Sequence, residues 1–219
     1  MPELANRDDT EKKIIGELEP IFEAQFRRAL TNPSNVPYAA FEADLTRVMT
    51  AELRDVFQQA GVALLLDNAV VVSAGMFRGT AQQWAAGFAP ELAREVVSTS
   101  QELVQAALAS SSGDARRISD ALATIFMSDA RLEAVAATEC TRATSAGEHA
   151  AVFFYDRSGK PRLVPVWRTA RDARVCDRCA PLAGRSRDYW GSFAPMGPPM
   201  HPVCRCWLEW LNARVWAAA

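Results

Sequence analysis

The sequence predicts a mainly α protein: a helical N-terminal region over residues 1–150, followed by a small α+β C-terminal module with a β-hairpin over residues 151–219. Three observations predict it. Apolar residues recur at steps of three and four through the first 150 positions. After Gly147 this gives way to short runs broken by Gly and Pro. Finally, four of the five cysteines and one of the two histidines crowd between residues 176 and 206. The chain has 219 residues and is 49% hydrophobic, enough for a sizeable core.

The elements follow in order. From Ile15, the positions Leu18, Phe22, Phe26 and Leu30 make a helical stripe that Asn32-Pro33 stops. A longer stripe, Phe41, Leu45, Val48, Met49, Leu53, Val56, Phe57 and Ala60, predicts a second helix that Gly61 kinks or ends. The segment through Val72 is apolar on too many sides for a surface helix, and its valine run also suits a strand. Pro90 is expected in the first turn of a helix carrying Leu92, Val96, Leu103 and Ala107. Ser110–Gly113 reads as a loop and Asp114 as an N-cap, with Ile118, Leu122, Ile125 and Phe126 behind it. A further alanine-rich helix from Asp129 is expected to end near Gly147. Val152–Tyr155 and Arg162–Arg168 then read as strand, turn, strand, with Pro165 marking an edge. No internal repeat is evident.

Charge divides the chain in the same place. Residues 1–150 carry 13 Lys/Arg against 21 Asp/Glu, whereas residues 151–219 carry 11 against 5 and hold five of the six tryptophans. No run of 18 apolar residues predicts a membrane span. The polar, acidic N-terminus lacks the features of a signal peptide, so a reducing cytoplasm is expected. There, clustered cysteines serve as metal ligands more often than as disulfides.

Cys176-x-x-Cys179 and His201-x-x-Cys204-x-Cys206 have the spacing of metal knuckles. Zinc accepts thiolate and imidazole ligands in a closed tetrahedron, so Cys176, Cys179, His201 and Cys204 make a complete structural site, with Cys206 an alternative fourth ligand. A pair of disulfides or free buried thiols are the other readings. Soft ligands at every position leave no place for a catalytic water. Cys140, remote on a helix, reads as a buried apolar residue. His149, at the expected helix end, reads as a capping residue. No Gly-rich phosphate loop, acid/base pair or triad can be singled out. Arg168, Arg171, Arg174, Arg178, Arg185, Arg187 and Arg205 interleave with Trp167, Trp190 and Trp207, which suits phosphate contact with base stacking. In the blander reading these arginines pair with Asp172, Asp177 and Asp188.

The run from Trp167-Arg-Thr through Asp172-Ala-Arg-Val-Cys176-Asp-Arg-Cys179 to Leu182-Ala-Gly184, then Pro198-Pro-Met-His-Pro-Val-Cys-Arg-Cys206, resembles the C-terminal signature of the phage Mu F-like minor head proteins. Thr138-Glu139, with Ala143 and Gly147, is similar to the Arg-Thr-Glu helix of that family, except that Ala137 stands where the family usually has Arg. The specific likeness covers residues 137–206. It implies a non-enzymatic virion head protein, made in the host cytoplasm, that associates with the portal or major capsid protein and assists head assembly and genome packaging or delivery. The residues themselves leave two further classes open. One is a zinc-dependent nucleic-acid-binding module, and the other an enzyme using Glu139, Arg142 or His149.

Overall fold

A computed structural model describes residues 6–71, 73–170 and 175–217. Five long helices come first: α1 (Arg7–Thr31), α2 (Ala39–Asp67), α3 (Ala74–Ser110), α4 (Ala115–Phe126) and α5 (Asp129–Asp156). Strands β1 (Leu163–Arg168) and β2 (Trp207–Asn212) follow, with short helices α6 (Arg187–Trp190) and α7 (Ala213–Trp216). Among the described residues the fold is mainly α, as the periodicity predicts, with one small antiparallel sheet.

Local chemistry explains several boundaries. Asn32 is the C-cap of α1, immediately before Pro33. Asp114 caps α4 by accepting from the backbone N–H groups of Arg116 and Arg117 at 2.9 and 3.2 Å. Ser73 caps α3, accepting from Met76 N. Consequently Pro90 is not a first-turn proline. It lies inside a 37-residue helix, where amphipathic packing on both sides overrides its lost N–H.

Two further expectations are corrected. Val152–Tyr155 is helical, because α5 runs past Gly147 to Asp156; the partner of β1 is β2, some 40 residues later, with Pro165 opposite Trp210. Gly147 and Gly61 serve close helix packing instead of termination. A Cβ on Gly147 would lie 2.2 Å from the carbonyl oxygen of Phe57, and one on Gly61 would lie 2.7 Å from that of Gly147. Both positions therefore need glycine so that α2 and α5 can touch backbone to backbone.

The core has two ends. At one, Leu18 and Phe22 of α1, Phe41 and Leu53 of α2, Phe126 of α4 and Ala136 of α5 pack together, with Phe22 edge-on to Phe41 at 5.1 Å. At the other, Phe57, Leu64, Phe77 and Tyr155 from the helices pack against Trp167, Leu182, Trp190, Leu208 and Trp210. The sheet module thus shares its core with the far halves of α2, α3 and α5. Among the described residues, no helix is long and apolar enough to cross a membrane.

Candidate metal centre

Two turns present the thiols and the imidazole. In the first, the N–H groups of Cys179 and Ala180 both donate to the carbonyl of Cys176 at 3.0 Å, and a 3-10 turn (Ala180–Leu182) follows. In the second, Cys204 N–H donates to His201 O at 3.2 Å, and Val203 takes a φ of 60°. For a β-branched residue that left-handed conformation costs about 1–3 kcal/mol, so the surroundings must hold it. They do: Val203 N–H donates to Thr138 Oγ1 at 2.9 Å.

Nε2 of His201 lies 3.0 Å from the Cys176 sulfur and 3.3 Å from that of Cys179. Its Nδ1 is 2.7 Å from the carbonyl of Pro202. A carbonyl only accepts, so Nδ1 carries the proton and the Nε2 lone pair faces the thiols, the tautomer a metal requires. The Cys179 and Cys204 sulfurs are 3.8 Å apart. A tetrahedral zinc with bonds of about 2.3 Å to sulfur and 2.0–2.1 Å to nitrogen has S···S edges of about 3.8 Å and S···N edges of about 3.6 Å. The Cys179–Cys204 pair stands at such an edge length, and the two His201 contacts are shorter than the corresponding edge by about 0.3–0.6 Å.

All five sequence-predicted ligands come together, in two overlapping groups: Cys176, Cys179 and His201, and Cys179, Cys204 and Cys206. Cys179 belongs to both. A void of about 10 Å³ is bounded by Cys176, Cys179, His201, Arg205 and Cys206, about the volume of one water-sized sphere. Hydrogen bonds from the Cys179 and Cys206 thiols hold Cys204 below the usual thiol range. Hydrogen bonding to Cys204 and to Cys206, with burial, pushes Cys179 above it. Buried sulfurs sharing negative charge at this spacing are a donor set suited to a soft or borderline cation. Each of these cysteines is a free thiol, as is Cys140, which burial pushes up to about 12.

The arginines divide by environment. Arg168 pairs with Glu209 across the sheet, and Arg205 pairs with Asp8 at 3.2 Å and Glu11 at 3.7 Å. Arg178, Arg185 and Arg187 are exposed, with Arg185 over the ring of Tyr189. Arg171 and Arg174 lie outside the described residues. Trp190 is sealed in the core at 0% exposure, edge-on to Trp167, and its N–H donates to Arg185 O at 2.9 Å. An indole so placed has no free face for a base, which corrects its inclusion among DNA-contact candidates.

Of the three residues considered for catalysis, Glu139 and Arg142 come together and His149 lies apart. Glu139 pairs with Arg142 at 2.9 Å in a cleft of about 430 Å³ between α3, α5 and the His201 turn. Burial raises the Glu139 carboxyl above its ordinary value. His149 lies ten residues further along α5, a rise of about 15 Å, and lines a different cavity beside Arg187 and Trp210. It is not a helix cap either, since α5 continues beyond it.

Sequence reasoning missed Arg7, Thr141 and Glu148, and it found Thr138 only through the resemblance, without its contact to the ligand turn. Each is buried and bonded to a residue between 62 and 197 positions away, a relation that no local pattern reports. Arg7 also supplies a guanidinium beside Ala137, donating to its carbonyl at 3.4 Å.

No curated protein and no solved structure gives a significant match to the chain. Residues 97–209 do match a family, Phage Mu protein F like protein. They include every predicted metal ligand, the sheet through Glu209 and all of α5. That match spans half of the 219 residues, so the chain belongs to the phage Mu protein F like family of phage head proteins.

Proposed function

We propose that this chain is a structural component of a phage head, associated with the portal or the capsid interior, that assists head morphogenesis and genome packaging or delivery. The observation that carries the reading is the family match over the Cys/His cluster and its supporting helix. A zinc ion held by Cys176, Cys179, His201 and one sulfur of the Cys204/Cys206 pair would have a structural role. It would fix two loops that have little regular structure of their own, in the way small metal modules gain folding energy from their ion. The long helices supply the surface for the portal or capsid protein. The exposed Arg178, Arg185 and Arg187 supply the contact with DNA.

The separate positions of Glu139 and His149 and the sulfur-rich donor set favour this reading over an enzyme. Its test is an in-frame deletion of the coding sequence in a phage that carries it, with particles counted and their DNA content measured. The expected outcome is normal early infection, few DNA-filled or infectious particles, and the chain present in purified wild-type heads. A chain absent from purified heads, with unchanged particle yield in the deletion, would overturn the proposal.

A further inference from the structure

Arg7, the first residue of α1, lies outside the residues matched to the family, yet its side chain reaches the ligand-bearing turn. It is 6% exposed. Nη2 donates to the Thr141 hydroxyl at 2.7 Å and to the carbonyl of Cys204 at 3.4 Å, and Nε donates to Glu11 at 2.5 Å. The Thr141 hydroxyl is itself 2.8 Å from the Cys204 carbonyl. One residue further on, Arg205 reaches back to Asp8 and Glu11 on α1. Burying a guanidinium is costly unless its donors are satisfied, and here the satisfying oxygens include the Cys204 carbonyl of the ligand-bearing turn. The opening two turns of α1 and the 201–206 turn are therefore each ordered by the other.

We infer that Arg7 is a positioning residue for the metal site, and that metal binding and the docking of the start of α1 are linked through it. The inference rests on the metal reading above. The ion fixes the ligand turn, and the turn presents the Cys204 carbonyl and Arg205 to α1. Removing the ion loosens the acceptors of Arg7. Removing Arg7 frees the turn, so the ligands must be ordered at the expense of metal affinity. Such a coupling is reciprocal by thermodynamic necessity.

The test uses the full chain, reduced, with Co²⁺ titrated against a competing chelator and amide hydrogen exchange followed along α1. Arg7→Met keeps much of the side-chain volume and removes the donors. It is expected to weaken Co²⁺ binding by about tenfold, within the usual range of such couplings. Chelation of wild type is expected to speed exchange over residues 8–13 while the rest of α1 stays protected by Ile14, Leu18 and Phe22. Metal is also expected to raise the Tm less in Arg7→Met than in wild type. A purely structural arginine would lower the apo and loaded Tm equally. Should Arg7→Met fail to fold, Thr141→Val, which removes one acceptor of the same network, is read in the same way. Affinity within twofold of wild type, with α1 exchange indifferent to chelation, overturns the linkage and leaves the metal reading standing. A folded wild-type chain that binds no Co²⁺ overturns both.

Discussion

Glu148 accepts the indole N–H of Trp210 at 3.0 Å, joining the middle of α5 to β2 through a carboxyl that is almost wholly buried. Burial pushes this carboxyl up to about 8, against the opposing pull of the Trp210 hydrogen bond. Beside it, burial and then the charge of Arg187 bring His149 down to about 4. The two neighbours give opposite pH dependences.

A carboxyl raised on folding contributes stability that is complete below its unfolded value of about 4.5 and lost as pH rises through about 8. An imidazole lowered on folding contributes stability that is present above about 6.5 and lost as pH falls through about 4. The sum is a plateau over the mildly acidic range, with losses of a few kcal/mol on the alkaline side. Urea denaturation between pH 4 and 9 measures it. Glu148→Gln should flatten the alkaline limb; stability that climbs steadily from pH 6 to 9 in wild type would contradict the assignment.

The close approach of α2 and α5 gives a second prediction. Gly147→Ala puts a methyl group 2.2 Å from the Phe57 carbonyl oxygen, and that atom belongs to a helix backbone that cannot turn aside. The expected cost is about 1–3 kcal/mol, visible as a lowered Tm. Gly87→Ala, where a Cβ meets nothing within 4 Å, should instead be neutral or slightly stabilising by helix propensity. Equal Tm values for the two variants would contradict the packing role.

The contrast between these glycines shows what is legible in the sequence. Stripes such as Phe41 to Ala60 identify α2 because its buried face repeats with the helical period. The ligand spacing likewise predicts that the five Cys and His donors share one place. Gly147 reads as a stop because glycine has the same appearance at a helix end and at a helix crossing; only the position of Phe57 separates the two. Val152–Tyr155 reads as a strand for a related reason. A short β-branched and aromatic run suits either element, and burial on the second core decides for helix. Arg7 gives no signal of its role, since Glu11 is an ordinary partner one helical turn away and the contacts of Arg7 to Ala137, Thr141 and Cys204 lie 130 to 197 residues away.

The fourth ligand can be settled by two substitutions. The small void is bordered by Cys206 and not by Cys204, although the Cys204 sulfur also stands at a tetrahedral edge length, 3.8 Å, from that of Cys179. The thiolate-to-cobalt charge-transfer band is expected to fall by about a third in Cys206→Ser, as one of three thiolates is removed. In Cys204→Ser it should be retained. The reverse pattern would assign the place to Cys204.

DNA binding by the exposed arginines implies a dependence on salt. Replacing Arg178, Arg185 and Arg187 together with Ala should reduce the slope of log affinity against log salt by about 0.9 for each phosphate no longer neutralised on duplex DNA. Trp190→Phe should leave that slope unchanged, because the ring is inside the core. A slope unaltered by the triple substitution would remove these residues from any DNA interface.

Most depends on the ion that the cysteine and histidine turns are proposed to hold. Elemental analysis of the full chain, purified reduced and without added chelator, measures it directly. The expected result is about one equivalent of zinc per chain, lost together with folded C-terminal structure in Cys176→Ser. A chain that contains no zinc, binds none when it is supplied, and keeps its fold in EDTA would contradict the central claim.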